Sequence, residues 1–382
     1  MQVNISVFGR FHAFDLAKQL NQNGLLNKLI TTYPKFKVNE WGIENDKIVS
    51  EIPLEILNRL NQKLNINSDG FNSYLKTIHA KNCAKYLDGC DVFIGWSGAS
   101  LETLIEAKKR GITTILERGS AHYSYQQNIL TEEYEKQGLK FKANYHSWQR
   151  ELLEYELADY ISLPSSFAKR SFIEYGVAEE KLLVNSYGVD LTNFKQITKE
   201  DNVFRIIYAG GGTLQKGYHY LLQAFYELNL PNCELWHLGS VKDEIKPFLE
   251  KYKHPSWILK GHQPQNELYK FYSQGSVFVL PSVQDGFGMV IFQAMACGLP
   301  VVLSENTGGY DAITKDGEEG FVIPIKSVEA IKEKILYLYE NQDICKEMGQ
   351  KAKQRVISGF TWDDYGSRYM NNLERILVAK NK

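Results

Sequence analysis

The stretch Val277–Val302, VFVLPSVQDGFGMVIFQAMACGLPVV, decides the fold because it predicts a strand, a loop, a helix and a second strand in succession. The first apolar run ends at Pro281, and a loop that contains Asp285 follows it. A helix of about ten residues comes next and is stopped by the sequence CGLP at 297–300. Two strands joined by a helix in this order are typical of a parallel sheet with crossover helices.

Strands and helices alternate in the same way along the rest of the chain. The predicted strands are Val3–Phe8, Lys28–Thr32, Asp91–Trp96, Ile112–Glu117, Tyr160–Leu163, Phe204–Ala209, Glu234–Leu238, Trp257–Lys260, Val277–Leu280, Pro300–Leu303 and Gly320–Ile323. Helical periodicity is clearest in Asp15–Asn23, Tyr145–Leu157, Gly217–Leu228 and Val328–Tyr339. We therefore expect an α/β protein made of two Rossmann-like, doubly wound parallel-sheet domains that face a cleft.

The alternation restarts after a polar stretch. Residues 186–202, SYGVDLTNFKQITKEDN, carry little apolar periodicity, and a new strand opens at Phe204. We predict a first domain over residues 1–187 and a second over 188–360, with a helix over about 361–382 packing back on the first. Two such sheets leave a cleft between the carboxyl ends of their strands, where sheets of this kind bind ligands.

The composition limits the possible functions. The 382 residues include 44 Lys and Arg against 45 Asp and Glu, so a net charge of -1 gives no reason to expect a nucleic-acid partner. The N-terminus lacks the apolar region of a signal peptide, and no apolar run approaches the roughly 20 residues of a membrane span. Five scattered cysteines without a CxxC pair fit a reduced compartment, so we expect a cytoplasmic protein.

A glycine-rich loop follows the strand that opens the second domain. The segment Tyr208–Gly217 reads YAGGGTLQKG. Glycines let the backbone approach a ligand closely, and both the amides at a helix N-terminus and the charge of Lys216 attract anions. The loop therefore suits a diphosphate, although Gly217 after Lys216 rules out a Walker A motif. A flexible βα turn with a surface lysine is the alternative interpretation.

The loop SVQDGFG carries the other charged candidate, Asp285. The backbone amides of residues 286–290 would point from the helix N-terminus into the cleft, where amides can hold sugar hydroxyls or phosphate oxygens. The alternative is that Asp285 caps this helix, since Asp is a favoured N-cap residue.

Taken together, these motifs resemble the retaining GT4-type glycosyltransferases, the glycosyl transferases group 1, which have the GT-B fold. That family's donor site has the form ExxxxxxxE followed by AxxxGxPVV, and here Asp285 and Gln293 occupy the two acidic positions. The family's GxxxxxKG element is matched by Gly210 to Gly217. Further matching segments begin at Ala158, at Ser186 (SYGVDLTNF) and at Thr307 (TGGYDAI). The likeness spans nearly the whole chain, is strongest from 277 to 325 and is weak before residue 90.

The resemblance implies roles for the matched residues. Lys216 would neutralise the donor diphosphate, Asp285 would hold hydroxyls of the donor sugar, and Gln293 would contact the ribose. His122, in ILERGSAHYSYQ, matches a histidine that reaches the donor sugar from the opposite domain, with a satisfied structural histidine as the alternative. The predicted catalytic residues are His122, Asp285 and Lys216. The predicted donor-binding residues are Gly9, Arg10, Arg118, Gly211, Gly212, Lys216, Asp285, Gly286, Phe287, Gly288, Met289, Val290 and Gln293.

The chain departs from the family's pattern at three positions. Asp285 is one methylene shorter than the usual Glu, and Gln293 is neutral where Glu is usual, although an amide can accept from one ribose hydroxyl and donate to another. Gly211 stands where an arginine is often found, so Arg118, Arg10 of the turn FGRFHAFD or the glycine amides would compensate at the phosphates.

We expect a retaining glycosyltransferase that moves a sugar from a nucleotide-diphosphate sugar to a saccharide or lipid-linked saccharide acceptor, in the synthesis of a cell-surface polysaccharide or glycolipid. No DxD-like acidic pair adjoins the glycine-rich loop, so we expect no metal and no cofactor. A nucleotide-sugar-binding protein without transferase activity is the alternative. A Rossmann oxidoreductase would need a GxGxxG motif that FGRFHAFD lacks.

Peripheral contact with the inner face of the membrane is suggested by residues between 136 and 150. Basic and aromatic side chains alternate there: Lys136, Lys140, Lys142 and Arg150 with Phe141, Tyr145 and Trp148. Such a patch would face a membrane that carries a lipid-linked acceptor. An ordinary solvated helix face is the alternative.

Overall fold

The first half of the chain forms one parallel sheet. The computed structural model describes residues 1–64 and 69–380. The strands of this sheet are β1 (Val3–Val7), β2 (Leu26–Thr31), β3 (Ile48–Ser50), β4 (Val92–Trp96), β5 (Thr113–Glu117), β6 (Tyr160–Leu163) and β7 (Leu182–Val184). Their order is β3-β2-β1-β4-β5-β6-β7, with every neighbouring pair parallel. The winding direction reverses between β1 and β4, which places the ligand-binding crevice of such a sheet at their carboxyl ends.

The second half repeats this topology. Its strands are β8 (Phe204–Ala209), β9 (Cys233–Leu238), β10 (Trp257–Gly261), β11 (Val277–Leu280), β12 (Val301–Ser304) and β13 (Gly320–Ile323). Their order is β10-β9-β8-β11-β12-β13, again all parallel. The winding reverses between β8 and β11, the strands that precede the glycine-rich loop and the Asp285 loop. The predicted α/β class with two doubly wound sheets is confirmed.

Helices cover both sheets. In the first half they are α1 (Ala13–Gln22), α2 (Lys35–Val38), α3 (Ile52–Lys63), α4 (Asp69–Cys83), α5 (Leu101–Lys109), α6 (Tyr123–Lys136), α7 (Tyr145–Leu157) and α8 (Ser166–Glu174). In the second half they are α9 (Tyr218–Leu228), α10 (Lys246–Lys251), α11 (Leu268–Tyr272), α12 (Met289–Ala296), α13 (Val328–Glu340), α14 (Gln342–Ile357) and α15 (Trp362–Lys380). None of these helices is long and apolar enough to cross a membrane.

The central strands are buried on both faces because helices pack on both sides of each sheet. Every residue of β1, β4, β5, β8, β11 and β12 is buried. Each predicted strand is present, but β3 and β7 were missed. Both are three residues long and lie at sheet edges, so neither carries enough apolar residues to form a recognisable pattern.

The two halves are joined by more than the connecting segment 185–203. Helix α15 returns to the first half, where Asp363 accepts a hydrogen bond of 2.9 Å from Gln19 on α1. Helix α6 of the first half contacts the start of α9 through the buried carboxylate of Glu133. That carboxylate accepts hydrogen bonds from His219 Nε2 at 3.0 Å and from the Tyr220 hydroxyl at 2.9 Å. These contacts hold the carboxyl edges of the two sheets close together.

Candidate functional site

The strongest feature of the second domain is an ion pair between its two signature loops. The ammonium group of Lys216, on the loop after β8, donates a hydrogen bond to Asp285 Oδ2, on the loop after β11. Both side chains keep partial contact with solvent, at 28% and 14% exposure. Because β8 and β11 are the strands between which the winding reverses, the pair lies where such sheets bind their ligands.

The glycine-rich loop is held in place by its neighbours. The amide of Gly210 donates to the Leu238 carbonyl at 2.9 Å, and that of Gly212 donates to the Ser240 carbonyl at 2.8 Å. Of the two glycines of this loop predicted to bind the donor, Gly211 and Gly212, the amide of Gly212 is therefore used within the fold. Gly217 has a φ of +62°, and a Cβ there would lie 1.9 Å from the Pro281 carbonyl oxygen, so a close backbone approach requires glycine.

Asp285 does not cap helix α12, which removes the alternative left open by the sequence. The N-cap residue is Gly288, with a φ of 76°, and it makes no side-chain capping hydrogen bond. The backbone of Asp285 is fixed instead by two bonds of 2.9 Å, from its own amide to the Asn306 carbonyl and from the Gly308 amide to its carbonyl. The carboxylate is thereby held towards Lys216.

The residues after Asp285 pack tightly against the first domain. A Cβ on Gly286 would lie 2.3 Å from Ser120 Cα, and the Gly286 carbonyl accepts a bond of 2.6 Å from Ser165. Phe287 is buried and stacks on Phe292 with 4.4 Å between ring centroids. Met289 and Val290 are half-buried at the start of α12. Of the side chains between 286 and 290, that of Phe287 therefore belongs to the core.

Gln293 lies on α12 and is buried. Its side-chain oxygen accepts a hydrogen bond of 3.3 Å from the hydroxyl of Tyr272, which is itself fully buried on α11. The amide nitrogen of Gln293 is the group left for a further hydrogen bond. The ribose contact implied by the resemblance stays a prediction.

His122 occupies the N-cap of α6 and is buried in the first domain. Its Nδ1 accepts from the Ser124 amide at 3.2 Å, and its ring stacks on Tyr175 with 4.7 Å between centroids. Burial and the charge of Arg118 lower the pKa of His122 to about 4, so the ring is neutral at physiological pH. This is the environment of a structural histidine, and its contact with a donor sugar stays a prediction.

The predicted cations of the first domain have other partners. Arg118 forms an ion pair of 3.1 Å with Glu151 and donates to Gln126, so it is held within its own domain. Arg10 is exposed and lies 4.3 Å from the centre of the Trp41 ring. Gly9 has a φ of +104°, and its carbonyl accepts from the Thr31 hydroxyl at 2.6 Å. Neither arginine contacts the loop of Lys216 in this arrangement.

Several polar residues that connect the two domains were missed by sequence reasoning. Gln284 donates to the Ser120 hydroxyl at 2.8 Å, Asn306 donates to the Tyr125 hydroxyl at 2.9 Å, and the Ser166 amide donates to Asp311 at 2.8 Å. The segments that carry them were noticed as family matches, but their pairing joins residues more than 140 positions apart, which no local pattern reveals.

The carboxyl edge of the first sheet holds a buried polar cluster. Glu117, at the end of β5, contacts His12 Nε2 at 3.1 Å and accepts from the Tyr369 hydroxyl of α15 at 2.8 Å. The ring of His12 lies 3.9 Å from that of Tyr187, which in turn packs on Phe287 of the Asp285 loop. This cluster connects the first sheet, α15 and the second domain.

Two further predictions concern other parts of the surface and core. Within residues 1–64 and 69–380, one group of side chains has the chemistry of metal ligands: Glu51, His79 and Cys83, all in the first domain.

The basic and aromatic patch at 136–150 is not intact, because Arg150 is buried in an ion pair with Glu102 and Trp148 donates to Ser124. Arg150 cannot contribute charge to a membrane-facing surface.

The fold and the second domain have known relatives. Residues 190–355 match the family model described as glycosyl transferases group 1. The capsular polysaccharide biosynthesis glycosyltransferase CapM of Staphylococcus aureus is 30% identical over 176 residues, which are 44% of this chain and 46% of CapM. An uncharacterised glycosyltransferase of Methanocaldococcus jannaschii is 31% identical over 157 residues, 41% of this chain and 44% of that protein. The chain thus spans about half the length of the curated relatives that it matches.

Solved structures match the whole chain. HepE of Anabaena in complex with UDP superposes with a TM-score of 0.71 at 15% identity, over 98% of this chain and 100% of HepE. A sucrose-phosphate synthase from Thermosynechococcus elongatus gives a TM-score of 0.69 at 16% identity, over 100% of both chains. Two Rossmann-like sheets face one cleft in this chain. Together with the similarity to these solved structures, this arrangement defines the GT-B class of fold. The match to the glycosyl transferases group 1 covers residues 190–355, which form most of the second domain.

Proposed function

We propose that this chain is a retaining glycosyltransferase that transfers a sugar from a nucleoside-diphosphate sugar to an acceptor hydroxyl. The observation that carries the proposal is the Lys216–Asp285 ion pair at the reversal point of the second sheet. The similarity to capsular polysaccharide enzymes such as CapM supports a saccharide or lipid-linked saccharide as the acceptor.

The ion pair gives each partner a defined task. In the free protein the two charges neutralise each other at a partly exposed site. A diphosphate that reaches Lys216 offers stronger, doubly charged competition for the ammonium group, and its arrival releases the carboxylate of Asp285 to accept hydrogen bonds from sugar hydroxyls. Donor binding would thus exchange one internal ion pair for two contacts with the ligand.

The chemistry follows from charge stabilisation and positioning. As the glycosidic bond breaks, negative charge grows on the departing diphosphate, and a well-aimed donor such as Lys216 is worth about 10²–10³ in rate. The departing phosphate can take the proton of the acceptor hydroxyl on the face from which that hydroxyl attacks, so the anomeric configuration is retained. Because no DxD-like pair adjoins the loop, we propose that no divalent metal takes part.

A donor-hydrolysis assay tests the proposal. The protein is incubated with UDP-glucose, GDP-mannose and ADP-glucose in separate reactions, and NMR follows both the release of free sugar and its anomeric configuration. UDP-glucose comes first because HepE, a structural neighbour, has been solved with that ligand. We expect the protein to hydrolyse one of the donors. An α-configured donor should release the α-anomer of the free sugar first.

The same assay distinguishes the remaining alternatives. Turnover that persists in excess EDTA is expected, and turnover abolished by EDTA and restored by Mg²⁺ or Mn²⁺ would disprove metal independence. Saturable donor binding without hydrolysis or transfer to any saccharide acceptor would favour a nucleotide-sugar-binding protein. Binding of none of the three donors would overturn the proposal.

A further inference from the structure

Three side chains of the types that bind metals meet beside the carboxyl end of β1. Glu51 lies just before α3, and His79 and Cys83 lie on α4. The ligand atoms that the three residues offer all lie within 4.8 Å of one another. A carboxylate, an imidazole and a thiol in one group match the mixed ligand sets of zinc sites.

The two residues on α4 are spaced for joint coordination. His79 and Cys83 are 4 positions apart, so the helix presents both on one face. Cys83 Sγ lies 3.6 Å from His79 Nε2 and 3.9 Å from Nδ1. Zinc bonds of about 2.0–2.1 Å to nitrogen and about 2.3 Å to sulfur put these two atoms of a tetrahedral site about 3.6 Å apart. The separation on α4 is therefore close to the one that zinc requires.

Ser6 determines which ring nitrogen of His79 can face an ion. Its hydroxyl, on β1, lies 3.0 Å from Nε2, whereas Nδ1 is hydrogen-bonded to the Glu51 carboxylate. A histidine that binds a metal usually donates its other ring N–H to an oxygen, which fixes the tautomer and the ring orientation. With the Nε2 proton donated to Ser6, Nδ1 presents its lone pair on the side of Glu51.

Burial and charge also suit a divalent ion. His79 and Cys83 are both 0% exposed, whereas the side chain of Glu51 is 11% exposed and can withdraw from the ring to admit an ion. Zn²⁺ held by one carboxylate, one thiolate and one neutral imidazole carries no net charge, which lowers the cost of burying it. Mg²⁺ and Ca²⁺ prefer oxygen ligands, so the sulfur selects against them.

A metal-free cluster is the competing interpretation. In that cluster an imidazolium ring would bridge the Glu51 carboxylate and the Ser6 hydroxyl, and Cys83 would stay a neutral thiol. In the zinc site Cys83 is a thiolate bonded to the ion. The state of this one sulfur atom therefore distinguishes the two interpretations.

We propose that Glu51, His79 and Cys83 bind one Zn²⁺ in the first domain, with Ser6 as a positioning residue that orients the imidazole. Three protein ligands leave the fourth position to water. The ion would join the segment before α3 to α4 and so stabilise the first domain. It lies on different loops from Lys216 and Asp285, so the proposed metal independence of the transfer reaction is a separate matter.

Cobalt substitution in the full chain, without an affinity tag, tests the proposal. A thiolate bonded to Co²⁺ gives an intense near-ultraviolet charge-transfer band, which nitrogen and oxygen ligands do not give. The chain is treated with dipicolinate to remove bound metal, titrated with Co²⁺ and then with Zn²⁺. We expect the band to saturate at about one Co²⁺ per chain and to disappear as Zn²⁺, the tighter-binding ion, displaces it.

Three variants show which residues bind the ion. Cys83→Ser should lose the band and at least about a hundredfold in zinc affinity, whereas Ser6→Ala should keep the band and lose about tenfold. The matched control is Cys90→Ser, which changes another buried cysteine of the first domain and should behave as the wild type does. Zn²⁺ at about 100 times its Kd should raise the melting temperature of the metal-free wild type by about 5 °C, and that of Cys83→Ser by less than about 1 °C.

Each contrary outcome is decisive. A wild-type chain without the charge-transfer band would overturn the proposal and assign the metal-free cluster, and this measurement does not depend on whether any variant folds. A band of equal intensity in Cys83→Ser, or an equal rise in melting temperature with Zn²⁺ in both proteins, would place the metal elsewhere and also overturn it. None of these measurements uses a sugar donor, so their results are independent of the proposed function.

Discussion

The carboxyl edges of the two sheets share one topology but differ in how their charged residues are exposed. At the second sheet, Lys216 and Asp285 are 28% and 14% exposed and form an ion pair between two adjacent loops. At the first sheet, His12 and Glu117 are 12% and 1% exposed, and Glu117 also binds Tyr369 of α15. The same strand order therefore supports an accessible charge pair in one domain and a buried cluster in the other.

This difference in exposure distinguishes a candidate ligand-binding site from a cluster that stabilises the fold. A partly exposed ion pair is worth little to stability, because water and salt screen it, and so its charges can be exchanged for those of a ligand. A buried carboxylate with two partners is costly to disrupt, because any change leaves polar groups unpaired. Substitutions at the second edge should change activity with little effect on folding, and substitutions at the first edge should do the reverse.

The largest effect is expected from Lys216→Ala. Loss of the cation that faces the donor diphosphate should lower kcat/KM by about 10²–10³, while the melting temperature stays nearly unchanged. Steady-state donor hydrolysis and thermal unfolding measure the two quantities. Lys242→Ala, which changes an exposed lysine next to the same loop, is the control. Wild-type kcat/KM in Lys216→Ala would remove this residue from the phosphate site.

A smaller loss of activity is expected from Asp285→Asn. A charge-assisted hydrogen bond to a sugar hydroxyl is worth about 1.5–3 kcal/mol, so the neutral amide should reduce kcat/KM about tenfold or more. Because Asp285 caps no helix, Asp285→Ala should unfold at nearly the wild-type temperature. Asp243→Asn changes an exposed carboxylate and serves as the control. A large drop in the melting temperature of Asp285→Ala with unchanged activity of Asp285→Asn would contradict the assignment.

The two edges were also not equally predictable from the sequence. The strand–loop–helix order at Val277–Val302 placed β11 residue for residue and β12 within one residue, because a continuous apolar strand and a glycine stop leave few alternatives. The helix between them was predicted to have about ten residues and has 8. The sequence placed Lys216 and Asp285 on loops after two strands, but their ion pair was not predicted, because it depends on β8 and β11 being neighbours in the sheet. The resemblance to a family added the roles of these residues.

The first edge could not be predicted in the same way. His12, Glu117, Tyr187 and Tyr369 come from four separate segments, and Tyr369 joins the other three because α15 returns to the first domain. The use of the Gly210 and Gly212 amides by the loop after β9, and of Arg118 by Glu151, likewise depends on tertiary packing. Residue types identified the candidate groups, whereas their partners were set by tertiary contacts between separate segments of the chain.

A stability effect is expected at the first edge from Glu117→Gln. The substitution keeps the size of the side chain but removes the charge that accepts from Tyr369 and contacts His12, so the free energy of unfolding should fall by about 2 kcal/mol. Urea denaturation measures the change, with the exposed Glu135→Gln as control. The kcat/KM of the folded variant should stay within about threefold of wild type. A tenfold loss of kcat/KM at unchanged stability would show that this edge, too, serves the reaction.

The smallest effect, and the sharpest test of the comparison, is expected at His122. Burial, reinforced by the charge of Arg118, lowers the pKa of this imidazole to about 4, whereas in the unfolded chain it is about 6.5. Below pH 6.5 the unfolded state therefore binds more protons than the folded state. The stability that comes from the neutral ring is complete above about pH 6.5 and is lost as the pH falls towards 4.

The variant His122→Asn keeps an effective helix cap but has no titrating ring. Between pH 7 and pH 4.5 the wild type should lose at least about 1 kcal/mol more free energy of unfolding than this variant does, as measured by urea denaturation. His262→Asn, at an exposed position, should follow the wild type. Parallel pH profiles for wild type and His122→Asn would show that the ring is not held neutral by burial. A tenfold loss of kcat/KM in His122→Asn at pH 7 would place this ring at the donor sugar after all, and the first domain would then contribute directly to the site.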